Sequence, residues 1–149
     1  ALMKCYIYAQ TPLIALSIFD KIPKPDAISY LIAINACAHI AMLRRARILY
    51  EQILCYFPSY KEDIRIMNAL IDMFGKCADV TTAQQLFDTI GNKDIISYNA
   101  LNVFHFKGLS GVGLKALEVY NSLLANSTLT PDEQTYSIIL NACSHSLLV

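Results

Sequence analysis

The chain contains two stretches, 106 positions apart, that are nearly the same sequence. One runs from Asp26 to His39 and the other from Asp132 to His145; each has Asp first, Tyr four residues later, Asn-Ala-Cys near the end and His last. Self-similarity on this scale is typical of a repeat protein. Such a chain folds as a series of similar units, each of which packs only against its neighbours.

A shorter pattern gives the period of the repeat. Ala, an aliphatic residue and an aromatic residue recur in one order at 15–20, 46–51, 83–88 and 116–121. Aspartates recur independently at intervals of 37, 31 and 38 residues, and we call them the boundary aspartates: Asp26, Asp63, Asp94 and Asp132. The spacings predict one continuous array over 1–149, with repeats at about 1–26, 27–63, 64–94, 95–132 and 133–149. The first and last of these are partial, so we expect the chain to be a piece of a longer array.

Each unit has two apolar segments with helical spacing, divided by a small or turn-forming stretch, which predicts a helical hairpin. The predicted buried stripe of the first helix is Tyr30, Ala33, Ile34 and Cys37, matched in the last unit by Tyr136, Ile139, Leu140 and Cys143. The second helices are expected to continue the core with Ile48, Leu49 and Ile53, and with Leu86, Phe87 and Ile90. The predicted fold class is therefore all-α, an α-solenoid of stacked antiparallel helical hairpins.

Charge and composition limit the partners. With 12 basic and 12 acidic residues the net charge is zero, which argues against a strong electrostatic grip on a phosphate backbone. A nucleic-acid partner would have to be held mainly by its bases. The charge-free stretch from Ala27 to Leu43 contains Asn35 and His39 and is shorter than the roughly 20 apolar residues of a membrane span. Five cysteines without secretory features indicate a reducing compartment.

Three motifs carry a resemblance to a known family. They are Pro-Asp-x-x-[Ser/Thr]-Tyr at 25–30 and 131–136, Asn-Ala-Leu-Ile-Asp-Met-Phe-Gly-Lys-Cys at 68–77, and Asn-Ala-Cys-Ser-His at 141–145. With these motifs, nearly the whole chain resembles pentatricopeptide repeats. The resemblance implies a helical-hairpin solenoid that binds single-stranded RNA in a mitochondrion or plastid, about one nucleotide per repeat, for RNA processing or editing. The alternation of a 31-residue unit with longer ones resembles the plant-type PLS subclass, which includes editing factors.

The first helix of each unit has a second stripe, two, five, nine and thirteen residues after the boundary aspartate, and helical geometry places these positions on one face. An Asn in this stripe has one acceptor and one amide donor group, which suit the edge of uracil. The resemblance implies that the residue at the fifth position, the reader, works with the last residue of its own unit. It therefore pairs Asn68 with Asp94 and Asn99 with Asp132 and implies a preference for uracil, with cytosine second, at both units.

The other stripe positions follow from the same resemblance. Leu31, paired with Asp63, lacks base hydrogen bonds and should specify little, while Ser137 could read a base. Asp26 belongs to a unit whose reader would precede Ala1. The expected base-stacking residues are Ile28, Arg65, Ile96 and Gln134. The expected phosphate contacts are Lys76 and Lys107.

Alternative interpretations stay open at this point. The boundary aspartates precede helices, where a carboxylate caps free backbone amides for about 1 kcal/mol, so capping alone accounts for them. Asn is also tolerated in a first helical turn. Besides RNA binding, the repeats are compatible with a protein-binding scaffold of the tetratricopeptide type. A non-functional gene fragment is the third possibility.

No catalytic chemistry is predicted. Gly108 to Gly113 has the spacing of a phosphate loop, but Leu114 stands where that loop needs Lys, so a flexible turn is favoured. Cys37 and His39 are two residues apart on a helix and point some 200° apart, which disfavours a zinc site. The remaining cysteines are expected to be buried apolar residues: Cys5, Cys55 and Cys77. The predicted protein is therefore not an enzyme, has no metal or cofactor, and takes single-stranded RNA rather than duplex DNA or a membrane as its partner, with possible protein partners through flanking regions.

Overall fold

The computed structural model describes residues 11–107, 112–126 and 128–146, with side chains described at 11–102, 115–126 and 128–144. These residues form α-helices and one short 3₁₀-helix (Pro58–Glu62), with no strand among them. The α-helices are α1 (Pro12–Phe19), α2 (Ala27–Ile40), α3 (Leu43–Tyr56), α4 (Ile64–Lys76), α5 (Val80–Thr89), α6 (Ile95–Lys107), α7 (Val112–Ala125) and α8 (Glu133–Ser146). No helix in the described ranges is both long and apolar enough to cross a membrane.

The helices form two layers. The first helices of successive hairpins lie side by side, α2 on α4, α4 on α6 and α6 on α8, while α3, α5 and α7 each pack on the first helix of their own hairpin. This arrangement confirms the predicted all-α solenoid of helical hairpins. The exact division of the sequence into repeats stays a prediction.

Each first helix begins directly after a boundary aspartate because the carboxylate caps the helix. The side chains of Asp26, Asp94 and Asp132 each accept a hydrogen bond from the backbone N–H three residues further on, with an N–Oδ1 distance of 2.8 Å. Asp63 accepts instead from the N–H of Arg65, at 3.0 Å. The capping role of all four aspartates is thus observed, and it leaves part of each carboxylate for other partners.

Two hairpins turn through alanines with left-handed backbone. Ala41, with φ of 54°, follows α2, and Ala78, with φ of 62°, follows α4. A residue in this conformation ends a helix and reverses the chain, and Gly is its usual occupant because it has no Cβ. The predicted turn at 108–113 lies mostly outside the described residues, and α7 already begins at Val112.

The core follows the predicted first-helix stripe. Tyr30, Ala33, Ile34 and Cys37 are buried, and the ring of Tyr30 packs between Phe19 and Phe57 at centroid distances of 5.4 and 5.6 Å. The second helices contribute buried side chains as expected, namely Leu49, Ile53, Leu86 and Phe87, and Ile90 directly after α5 is also buried. Full burial of such a side chain stabilises the fold by about 1.5–3 kcal/mol.

Some burial predictions are wrong. Ile48 is exposed because Leu49 and Ile53 occupy the inner side of α3. Cys55 is exposed because it lies two residues beyond Ile53 and so points away from the core. Cys5 lies outside the described residues.

The last first-helix stripe is also less buried than predicted. Tyr136 is half exposed and Leu140 is 70% exposed, whereas Ile139 and Ala142 pack against Ala116 of α7. Cys143 is partly buried. Helix α8 contacts α6 and α7 on one side, and no described helix covers its other side.

Candidate nucleic-acid interface

The first-helix layer carries an open groove of about 400 Å³ that extends across α2, α4, α6 and α8. Its lining is Leu31, Asn35, Ile64, Arg65, Asn68, Ala69, Asp72, Asp94, Ile96, Asn99, Ala100 and Gln134. Most of these residues stand two, five or nine positions after a boundary aspartate. The structure therefore brings together, in one groove, residues at the first three positions of the second stripe, whereas His39 and Lys76 at its fourth position are not part of the lining.

At the junction between α4 and α6, the reader Asn68 contacts the start of the next hairpin. Its Nδ2 donates a hydrogen bond to Asp94 Oδ1 at 3.0 Å, and its Oδ1 accepts one from the Ser97 hydroxyl at 2.7 Å. The same hydroxyl lies 2.8 Å from Asp94 Oδ1. Asn68 is buried, with 7% of its surface exposed, so its amide is held in a defined position.

The junction between α6 and α8 repeats this geometry with one substitution. Nδ2 of Asn99 donates to Asp132 Oδ1 at 3.1 Å, and Oδ1 of Asn99 accepts from the Thr135 hydroxyl at 2.8 Å. Thr135 thus takes the place of Ser97. We call each set of reader, boundary aspartate and hydroxyl a polar triad.

In both polar triads, the reader keeps hydrogen-bonding capacity. An Asn amide has two N–H donors and two acceptor lone pairs, and the triad uses one of each. One N–H and one lone pair therefore remain for a molecule in the groove, which both readers line. This donor and acceptor pair matches the edge of a nucleobase.

The junction between α2 and α4 is built differently. Leu31 takes the reader position and Ile66 the hydroxyl position, so neither offers a hydrogen bond. Asp63 instead binds the guanidinium of Arg65 in bidentate fashion, with Nε–Oδ1 at 3.0 Å and NH2–Oδ2 at 2.7 Å. As predicted from its side chain, Leu31 presents no base-reading group.

The pKa values of three boundary aspartates are lowered by different partners. The Thr135 hydroxyl, with smaller help from Asn99, lowers the pKa of Asp132 below the ordinary value. For Asp63 the lowered pKa results mainly from the Arg65 guanidinium, and for Asp26 from the Ser29 hydroxyl and backbone N–H. These three carboxylates are therefore ionised at neutral pH.

The predicted stacking residues lie on the open face. Ile28, Arg65, Ile96 and Gln134 are all exposed, and the last three line the groove. Ile28 and Ile96 are apolar side chains in contact with solvent, which suits them to cover the face of a planar ring. The guanidinium of Arg65 is held by Asp63, a pairing that was not predicted from the sequence.

Of the two predicted phosphate contacts, Lys76 lies within the residues whose side chains the structure describes. Nζ of Lys76 pairs with Asp72 Oδ2 at 2.7 Å, one helical turn away, so its charge is largely offset. The side chain of Lys107 lies outside the described residues. Ser137 is exposed, and its hydroxyl donates to the carbonyl of Glu133 within its own helix.

Two functional candidates were missed from the sequence, namely the hydroxyls of Ser97 and Thr135. Both occupy the fourth position of the stretch that begins at a boundary aspartate, where Ser or Thr recurs in the motif that signalled the repeat. The motif was the signal, but it indicates a helix cap equally well, since the backbone N–H groups of Ser97 and Thr135 donate to the capping carboxylates of Asp94 and Asp132.

The Cys37–His39 pair behaves as helical geometry requires. Cys37 is buried in the core, where burial raises the pKa of its thiol to about 11, whereas His39 is exposed. The two side chains therefore lie on different sides of α2. Among the described residues, no group of His, Cys, Asp and Glu is placed to hold a metal ion.

Stacked helical hairpins with a groove along the first-helix layer define an α-helical repeat protein of the solenoid class. Comparison with known proteins gives the family. A pentatricopeptide repeat-containing protein of Arabidopsis thaliana is 38% identical over 85% of this chain. A second, named as mitochondrial, is 34% identical over 83%, and a third, CRR2, named as chloroplastic, is 30% identical over 84%.

The chain belongs to the pentatricopeptide repeat proteins. It spans 18%, 19% and 18% of these three relatives, so the matches concern the repeat array. No family model matches the chain.

Proposed function

We propose that this chain binds single-stranded RNA in the groove of its first-helix layer, about one nucleotide per hairpin. One observation carries the proposal: two successive junctions hold an Asn against a carboxylate with one donor and one acceptor left over. A structural cap needs the carboxylate but has no need for the Asn. The repeated pairing therefore supports a binding role.

The remaining amide groups favour uracil. Its N3–H can donate to the reader's Oδ1, and its O4 can accept from the reader's Nδ2. Cytosine offers the opposite order of groups and is the second choice. We propose that Asn68 and Asn99 read two adjacent uracils, with Asp94 and Asp132 fixing the two amides.

The open apolar side chains give the bases a surface on which to stack. Ile96 lines the groove together with the two readers, and Ile28 occupies the same position on α2. Stacking on a side chain is worth about 1–3 kcal/mol per base for aromatic platforms, and less is expected for isoleucine. Arg65 adds a planar guanidinium that Asp63 keeps in place.

Phosphate attraction plays a minor part in this proposal. The chain has no net charge, and Lys76 is already paired with Asp72. RNA affinity should therefore fall gently with salt, because the slope reflects the number of phosphates neutralised. A steep slope would contradict a base-centred mechanism.

The cellular role follows from the family. Relatives named as mitochondrial and as chloroplastic support an organellar location, and the proposed process is organellar RNA processing or editing. In this role the array recognises the RNA sequence, and a partner or flanking domain performs any chemistry. The alternating repeat lengths support membership of the PLS subclass.

The test is binding to single-stranded RNAs that differ only at two central nucleotides, UU, CC, AA or GG. The wild-type chain is expected to prefer UU, and Asn68→Ala or Asn99→Ala should reduce that preference by about 1–3 kcal/mol. Asn121→Ala, at an exposed position of the outer helix α7, is the matched control and should bind like the wild type. Equal binding of all four RNAs would contradict base reading by the two Asn residues, and a folded protein that binds none of them would instead favour a protein-binding scaffold.

A further inference from the structure

The hydroxyl of each polar triad comes from the hairpin after the reader. Ser97 and Thr135 belong to α6 and α8, and they bond to Asn68 on α4 and Asn99 on α6 at 2.7 and 2.8 Å. Both Ser97 and Thr135 are completely buried, with 0% of their surface exposed. Neither hydroxyl can therefore touch RNA in the groove.

These hydroxyls occur together with the readers. Where the reader is Asn68 or Asn99, the residue three positions after the next boundary aspartate is Ser97 or Thr135. Where the reader position holds Leu31, the corresponding residue is Ile66. A helix cap alone would not link these positions, because Asp63 caps α4 without a hydroxyl neighbour.

The bonding pattern shows what the hydroxyl adds. The oxygen of each hydroxyl also accepts from the backbone N–H of the boundary aspartate, at 3.4 Å for Asp94 and 3.2 Å for Asp132. Its hydrogen is then directed toward the two side-chain oxygens, one of which is Oδ1 of the reader. The reader amide is thus fixed at both ends, by the carboxylate at Nδ2 and by the hydroxyl at Oδ1.

An amide that is held at one end only can turn about its Cβ–Cγ bond. The plane that contains its free N–H and its free lone pair would then tilt away from the groove, and base discrimination depends on the direction of both groups. We propose that Ser97 and Thr135 are positioning residues that set the base selectivity of Asn68 and Asn99 without contacting RNA. This inference rests on the proposed function, since it concerns how selective the readers are.

Thr135 allows a test with matched variants. Thr135→Val replaces the hydroxyl by a methyl group of similar size, whereas Thr135→Ser keeps the hydroxyl and removes the methyl. The measurement is the ratio of dissociation constants for RNAs with UU, UA, AU or AA at the two central positions. Thr135→Val should lower the preference for uracil at one of the two nucleotides by about three- to tenfold, while Thr135→Ser should keep it within about twofold.

The same test applies to the other junction. Ser97→Cys keeps the approximate size with a much weaker donor, and Ser97→Thr keeps the hydroxyl. Ser97→Cys should reduce selectivity at the other central nucleotide, and Ser97→Thr should not. Thermal unfolding of all four variants identifies any loss of fold. Because each junction has its own pair of variants, the other junction still tests the inference if a variant of one junction does not fold.

Four results would overturn the inference. A packing role predicts the reverse order, with Thr135→Ser more damaging than Thr135→Val. An equal loss of affinity for all four RNAs would show that the hydroxyls only support the fold, and unchanged selectivity in both hydroxyl-free variants would show that the carboxylate suffices. A wild-type chain without any base preference would overturn the proposed function itself, and the inference with it.

Discussion

The junction between α4 and α6 and the junction between α2 and α4 solve the same structural problem with different chemistry. Both begin a helix with a capping aspartate, but Asp94 also binds Asn68 whereas Asp63 binds Arg65. At the first junction an amide and a hydroxyl are buried together, and at the second their places are taken by Leu31 and Ile66. The cap is therefore the constant part of the repeat, and the second partner of the carboxylate is the variable part.

The comparison separates stability from recognition. The buried amide and hydroxyl of a polar triad contribute to stability only while both have partners, because an unpaired buried group costs about 1–3 kcal/mol. Leucine and isoleucine fill the same space without that condition. Retention of the demanding arrangement at two junctions is consistent with a use beyond folding.

The largest effect is expected when a polar triad is converted to the apolar type. Asn68→Leu combined with Ser97→Ala removes both hydrogen-bonding side chains at once. Because the Asp94 carboxylate keeps the backbone N–H of residue 97 as a partner, the free energy of unfolding should change little. Selectivity for uracil should fall by about 1–3 kcal/mol. Fluorescence anisotropy with labelled RNAs and urea denaturation measure the two quantities separately. A variant that loses stability but keeps its selectivity would refute the division between cap and reader.

A core position also distinguishes α6 from α4. Asn102 of α6 corresponds to Ile71 of α4, eight residues after the boundary aspartate, and it is 0% exposed. Neither polar atom of its side chain has a hydrogen-bond partner in the described part of the chain.

Asn102→Leu, which conserves the number of side-chain atoms, should therefore raise the free energy of unfolding by about 1–2 kcal/mol. Its RNA selectivity should stay that of the wild type, because the side chain is absent from the groove lining. Urea denaturation tests the gain, with Ile71→Asn as the reciprocal variant that should lose stability. No gain in Asn102→Leu would mean that this amide is satisfied in solution.

A third reader can be built at the apolar junction. Leu31→Asn with Ile66→Thr supplies the amide and hydroxyl that Asp63 lacks, and Arg65→Ala frees the carboxylate from its ion pair. The triple variant should gain a preference for uracil at a third nucleotide, worth about 0.5–1.5 kcal/mol and smaller than the native effects because Ile66 is part of the core. Binding to UUU against AUU and UUA measures the gain, with Arg65→Ala alone as the control. Identical selectivity in both proteins would show that the triad is insufficient.

The smallest expected difference concerns how salt acts on two carboxylates. The pKa of Asp63 is lowered mainly by the charged Arg65, which is largely exposed, and the pKa of Asp132 mainly by the neutral Thr135 hydroxyl. Added salt screens the ion pair but not the hydroxyl bond. The pKa of Asp63 should therefore rise toward the ordinary value of 3.8 at high salt, while that of Asp132 should change less.

Because both pKa values are lowered on folding, each carboxylate stabilises the protein above the ordinary pKa and loses that contribution as the pH falls through the lowered value. Titration of the carboxyl carbons by NMR at low and high salt provides the measurement. Equal shifts at the two sites would contradict the assignment of their causes.

The fold was largely predictable because repetition amplifies weak local signals. The stripe from Tyr30 to Cys37 and the capping aspartates recur, and each recurrence supports the others. Exposure of Ile48, Tyr136 and Leu140 was not predictable in the same way, since it depends on which neighbouring helix lies against each side chain.

Within the site, the pairing of Asn68 with Asp94 follows from the resemblance, and the structure places the two groups in contact. The ion pairs Asp63–Arg65 and Asp72–Lys76 were not predicted, because a sequence shows that charges are near but not which of several partners they choose. In both pairs the cation, Arg65 or Lys76, is a residue that was predicted to contact RNA.

Under the proposed function, the position of the hydroxyls makes the base recognised by one hairpin depend on the hairpin that follows it. Because Asn68 bonds to Asp94 and Ser97, the segment that would specify one base begins on α4 and ends on α6. Deleting, duplicating or exchanging a hairpin at the boundary aspartate would then change the base preference of the hairpin before it. An engineer who wishes to move a specificity from one array to another must transfer the segment 68–97 rather than a hairpin, and recombination between genes of this kind faces the same requirement.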